Sequence, residues 1–227
     1  MRARLLLVPF VAAAALLAGC TNTTTPQVIP TPTTNGLEGM TADEILAKAQ
    51  GALDEAKSFR VKGPVVVEGQ TLIVDLVFAG SDVKGTMTVS GVALDVVRAG
   101  GGTYVKAPVL VWAALLPAEV QAMLPPGIET KYLKLPSPLA ELVPTKDGLI
   151  EPEGSLTKGE ITTVNGQPAI TLSDSKGKLN ISLLGKPYPI DLTDDKSNKL
   201  EFSEFDASVT ITAPPTADVV DAAAFLS

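Results

Sequence analysis

Thr71–Val89 reads TLIVDLVFAGSDVKGTMTV. Leu72, Val74, Leu76 and Phe78 occupy every second position, so a strand through them turns one apolar face to a core. Beyond the Ala79-Gly80-Ser81-Asp82 turn, Val83, Gly85, Met87 and Val89 alternate with Lys84, Thr86, Thr88 and Ser90. Two period-two runs joined by a short turn predict a β-hairpin.

The same habit extends outward. Val92–Arg98 reads as a strand, and AGGGTYVKA turns the chain into another over Thr103–Ala107. Further strands are expected at Ile161–Val164, Ala169–Ser173, Leu179–Leu184, Ile190–Thr193, Leu200–Phe205 and Val209–Thr212, with Asn165-Gly166 as a hairpin turn. Gly100–Gly102 lies between two strands and no helix follows, so it reads as a turn and not a phosphate loop.

Helices are few. Thr41 followed by Glu44 matches a capping box, and Ile45, Ala49, Ala52, Leu53 and Ala56 share one face at helical spacing. PVLVWAALLPAEVQAMLPPG predicts helices over Val109–Leu116 and Ala118–Leu124, with Pro117 suited to the first turn of the second. The face carrying Trp112, Leu115 and Leu116 is strongly apolar, and Met123 and Leu124 extend it. The fold class predicted is α+β: a curved antiparallel sheet packed over a few helices.

The N-terminus carries a different message. Arg2 and Arg4 precede an apolar run, Leu5–Leu16, that is too short for a membrane span of about 20 residues. It stops at Gly19 and Cys20, the only cysteine of the chain. Residues 1–19 are the layout of a secretory signal, and Leu17-Ala18-Gly19-Cys20 resembles a bacterial lipobox. That resemblance implies an acylated Cys20 as the mature N-terminus, anchored outside the cytoplasm to the cell membrane by two or three chains. The other reading is an ordinary cleaved signal with an incidental cysteine. Thr21–Gly36, TNTTTPQVIPTPTTNG, has no apolar periodicity and reads as a semi-rigid stalk spanning up to roughly 50 Å at about 3.1 Å per residue. Thr/Pro-rich stalks are also acceptors for O-glycosylation. The organisation expected is signal over 1–19, anchor and stalk over 20–38, and one domain over 39–227.

Charge and composition exclude several classes. The chain carries a formal charge of −7, and cleavage after Gly19 removes two arginines and no acid, leaving −9. This opposes nucleic acid as a partner, because phosphate binding draws on clustered Lys and Arg. It also opposes a face pressed onto anionic lipid. With no histidine and one cysteine assigned to acylation, Ser-His and Cys-His nucleophile pairs are excluded within the chain. TDDKSNKLEFSEFD, Thr193–Asp206, holds enough acids for a carboxylate pair, but polar residues alternating beside a strand are usually its solvated face. Asp191, Asp194, Asp195 and Asn198 lack the glycine and terminal glutamate of an EF-hand. No catalytic, metal or cofactor site is expected.

Taken together, the lipobox and stalk, the helix ending in AKSFRVKG, the strands leading to LDVVRAGGGTYVKA, the VWAALL helix, KPYPIDL and the closing VTITAPP resemble the LolA/LolB-like lipoproteins, especially the LppX/LprG-type lipoproteins of actinobacteria. The resemblance implies a half-barrel over helices with a hydrophobic cavity between them. That cavity would hold acyl chains of lipids or glycolipids and carry them across the envelope, with a membrane and an envelope transporter as partners. By the same resemblance, Leu76, Phe78, Met87, Val89, Trp112, Leu115, Leu116 and Met123 line the cavity. As plain residues, each also fits an ordinary core. The sequence order displays no polar cluster suited to a sugar headgroup. The alternative is a non-enzymatic surface or scaffold lipoprotein with a filled core. Aromatic residues make up only 4% of the chain, few large rings to plug a curled sheet, which favours the cavity.

Overall fold

The computed structural model describes residues 33–224 apart from 68, 116, 117, 142 and 197. Its first helix, α1 (Ala42–Glu55), starts as the capping box requires. The Thr41 hydroxyl accepts from the Glu44 backbone N–H, and the Glu44 carboxylate accepts from the Thr41 N–H at 2.8 Å. One face of α1 buries Ile45, Leu46, Ala49, Ala52 and Leu53 in the main core.

The chain then forms β1 (Phe59–Val67), β2 (Gln70–Ala79), β3 (Asp82–Val89), β4 (Val92–Ala99) and β5 (Gly102–Lys106). The hairpin predicted at Thr71–Val89 is present in register, with Val74 opposite Met87 and Phe78 opposite Val83. After β5 come α2 (Val109–Leu115), the single turn α3 (Ala118–Gln121), β6 (Tyr132–Lys134) and α4 (Ser137–Ala140). The second half contributes β7 (Thr157–Val164), β8 (Gln167–Ser173), β9 (Gly177–Ser182), β10 (Pro189–Asp194), β11 (Lys199–Ser203) and β12 (Val219–Asp221).

All twelve strands join one curved, unclosed sheet in the order β12-β6-β5-β4-β3-β2-β1-β11-β10-β9-β8-β7. Neighbours are antiparallel except for β12 on β6. The fold is therefore α+β, as the patterning predicts. Tight turns make the meander: Ser90-Gly91, Gly100-Gly101 and Asn165-Gly166 each hold φ positive at both residues, the type I′ requirement. The two halves of the sheet meet where β1 pairs with β11, and there Gly63 passes so close to the Lys199 carbonyl that a Cβ would collide with it.

Several expectations change. Val209–Thr212 alternates like a strand but pairs with none. It belongs to an extended strap from Ala207 to Pro215 that leads from β11 to the far edge at β12. Ile211 alone of this alternation is buried, in a small cluster with Val97 and Ala99 on the sheet face opposite the main core. The second helix of the middle segment ends at Gln121, not Leu124. Ahead of α1, the Asn35 backbone N–H donates to the Leu183 carbonyl at 2.8 Å, and Leu37 is buried.

Candidate functional site

The residues expected to line a cavity fall into different settings. Leu76 and Phe78 are 1% exposed and Met87 is 8% exposed, all within the main core cluster, with Val89 packed against it. Phe78 stacks on Phe59 at 4.9 Å between ring centroids, and Phe59 in turn meets Phe202 and Phe205. Leu115 is the last residue of α2, and Leu116 lies outside the described residues, as does Cys20. Met123 stands 58% exposed beyond α3, apart from the core.

Trp112 differs from its neighbours. It is 3% exposed, and its indole N–H finds no acceptor among the described residues. It borders a cleft of about 230 Å³ whose walls include Val109, Ala113, Leu124, Pro125 and Ile128 together with Gln121 and Glu129. The same short helix leaves Val109, a wall of this cleft, 54% exposed and Leu110 68% exposed. Exposed apolar side chains of this size are ordinary singly, but Val109, Leu110 and Met123 fall together in the one segment Val109–Met123. From Ala107 to Thr130 the sequence contains no Lys or Arg, so this segment supplies no positive charge to hold a phosphate.

The acidic segment after β10 is internally committed. The Asp194 carboxylate accepts from the Asn198 side-chain amide and from the backbone N–H groups of Asn198 and Lys196, which cap the turn into β11 and hold its pKa below the usual carboxylate range. Asp191 is buried on β10, accepts from Asn180 at 2.6 Å and pairs with Lys199 at 3.1 Å. Among the described residues, no three metal-ligating side chains gather.

A polar cluster that sequence order conceals is assembled at the other end of β5. Arg98, from the end of β4, lines a cleft of about 440 Å³ together with Ser81, Thr103, Ser137 and Thr145. Asp82, Glu141, Lys146 and Asp147 share its walls. These positions come from the β2–β3 turn, β4, β5, α4 and the segment that follows. Their convergence depends on the meander of β2–β6, which no local pattern announces.

No helix among the described residues is long and apolar enough to cross a membrane. No family model matches the chain. No curated protein matches it by sequence. Among solved structures, the chain is similar to LprF from Mycobacterium bovis at 15% identity and a TM-score of 0.49, over 76% of this chain and 96% of that one. A conserved protein from Thermus thermophilus is similar at 15% identity and a TM-score of 0.42, over 79% and 98%. MucB in its complex with MucA from Pseudomonas aeruginosa is similar at 18% identity and a TM-score of 0.36, over 78% of this chain and 59% of that one.

Proposed function

We propose that this protein is an extracytoplasmic lipoprotein, tethered through an acylated Cys20 on the Thr/Pro stalk, that binds the acyl part of a lipid or glycolipid and carries or presents it across the envelope. The observation that carries this reading is the α2–α3 segment, where Val109, Leu110 and Met123 are all exposed and Val109 also lines the Trp112 cleft. Water is a poor partner for such a surface, whereas an acyl chain gains about 0.8 kcal/mol for each CH₂ sheltered. The lipobox resemblance, which implies a membrane anchor, supports the same reading. A ligand carbonyl would satisfy the buried indole N–H of Trp112, and the hydrocarbon behind it would meet Leu124, Pro125 and Ile128. The chemistry is binding, without bond making or breaking.

A second reading is favoured by one observation: Leu76, Phe78 and Met87 lie in the main core cluster and line neither the Trp112 cleft nor the Arg98 cleft. A tethered scaffold with a filled interior predicts no cargo at all. The two are separated by native mass spectrometry and organic extraction of the full chain carrying Cys20→Ser, purified from the envelope. Bound acyl species that disappear in the doubly substituted Leu110→Glu, Met123→Glu protein, with unchanged thermal unfolding, support the carrier. A clean apo mass and no uptake of added fatty acid or phospholipid contradict it and leave the scaffold.

A further inference from the structure

Arg98 is held without being neutralised. Its Nη2 donates to the Ala140 carbonyl at 2.6 Å and to the Val143 carbonyl at 2.7 Å, which pins the guanidinium under the segment after β6. Its Nε is buried and finds no acceptor among the described residues. No carboxylate of the described residues forms an ion pair with it, although Arg60, the other described arginine, is gripped by both Asp75 and Glu204. A partly buried guanidinium with an idle donor calls for an oxyanion, its strongest class of acceptor.

The rest of the cleft restricts what that oxyanion belongs to. Asp82, Glu141 and Asp147 bring three negative charges, and Lys146 directs its ammonium to Asp54 of α1 at 2.8 Å. A ligand with two or more negative charges meets repulsion from these carboxylates. They are, however, good acceptors for ligand hydroxyl groups, and Ser81, Thr103, Ser137 and Thr145 supply hydroxyls able to donate and accept. A neutral polyol would use these groups and leave Arg98 uncompensated.

We propose that the Arg98 cleft binds a hydroxylated monoanion, one carboxylate or phosphodiester with free hydroxyls on neighbouring carbons. Arg98 takes the oxyanion, and the carboxylates and hydroxyls of the walls read the ligand hydroxyls. The site is independent of acyl binding: it shares no residue with the Trp112 cleft and lies at the opposite end of β5.

The test is an NMR titration of the ¹⁵N-labelled full chain with Cys20→Ser, following the Arg98 Nε–H resonance and the backbone amides of Ser81, Thr103 and Thr145. Glycerophosphoglycerol and gluconate are the probes, and glycerol and dimethyl phosphate carry the hydroxyls or the single charge alone. Saturable shifts with both probes, at least about tenfold weaker with either control and lost in Arg98→Gln, are expected. Equal binding of glycerol assigns a neutral polyol and overturns the proposal. Equal binding of dimethyl phosphate, or shifts of wall residues that persist in Arg98→Gln, also overturns it. Should Arg98→Gln fail to fold, Ser81→Ala and Thr145→Ala are expected to weaken the probes about threefold or more, and unchanged affinity overturns the site. Dihexanoyl-phosphatidylglycerol distinguishes the sources. Tighter binding than glycerophosphoglycerol assigns a lipid headgroup and equal binding a free solute, both supporting the monoanion, while loss of binding on acylation excludes the headgroup and leaves the solute.

Discussion

The hairpin β2–β3 and the segment α2–α3 are written in the same apolar alphabet and come to opposite ends. Leu76 and Phe78 vanish into the core, whereas Leu110 and Met123 face outward. The difference lies in what each apolar face has opposite it. The hairpin face meets α1 and the other strands of a continuous sheet, including the ring stack of Phe59, Phe78 and Phe205. The α2 helix is seven residues long and uses Trp112 and Val111 to hold on, and the described residues leave Val109 and Leu110 more than half exposed. Apolar spacing therefore states that a face seeks a partner, and the tertiary structure decides whether the partner belongs to the same chain.

The largest expected effect falls on the packed side of this comparison. Phe59→Ala removes the ring shared by three aromatic contacts and is expected to cost about 3–5 kcal/mol in urea unfolding. A loss below 1 kcal/mol would mean that the core tolerates a cavity of ring size, which would revive an internal lipid pocket. Gly63→Ala comes next, since its Cβ runs into the Lys199 carbonyl at the β1–β11 junction with φ at 147°. Strain of about 1–3 kcal/mol is expected, with hydrogen exchange accelerated first in β1 and β11. Unchanged exchange there would show that the junction does not depend on this close approach.

A third test acts through pH at the start of the strap. The Lys57 backbone N–H, then the Tyr188 hydroxyl and the Lys186 ammonium, hold the Asp206 carboxylate at about 2. Because the folded pKa is depressed, its stabilisation is complete above the ordinary carboxylate value near ~3.9 and is lost as pH falls toward 2. Asp206→Asn is expected to lower the thermal midpoint at pH 7 and to converge with the parent protein near pH 2. A difference that persists at pH 2 would assign the effect to packing of the Tyr188–Phe205 stack instead. The smallest effect belongs to the exposed side: Leu110→Ser is expected to change stability by no more than about 0.5 kcal/mol, and a larger loss would show that α2 relies on it for packing.

How much of this was legible follows the range of the interactions. The Thr71–Val89 hairpin and α1 are local, set by alternation, turn chemistry and a cap within three residues, and both appear where the sequence places them. β6 and β12 are three residues each and form through a parallel pairing between Tyr132 and Val219, for which no local signal exists. Val209–Thr212 shows the converse, a strand pattern satisfied by one buried Ile211 and no ladder. β1 carries little legible strand signal, since Gly63 and Pro64 interrupt its alternation, though it joins the two halves of the sheet. The Trp112 helix was legible by its apolar face. The Arg98 cleft was not, because its walls are drawn from positions 81 to 147 and only the folded meander brings them together.

The most direct test of the central claim uses the fact that Trp112 is the only tryptophan in the chain. Dibromostearate, whose bromines quench indole fluorescence only at contact range, is titrated against the full-length Cys20→Ser protein with stearate as the control. Saturable quenching by the brominated chain, competed by stearate and diminished in Leu110→Glu, Met123→Glu, is the result expected of an acyl site at α2–α3. Unchanged Trp112 emission across the titration would contradict it.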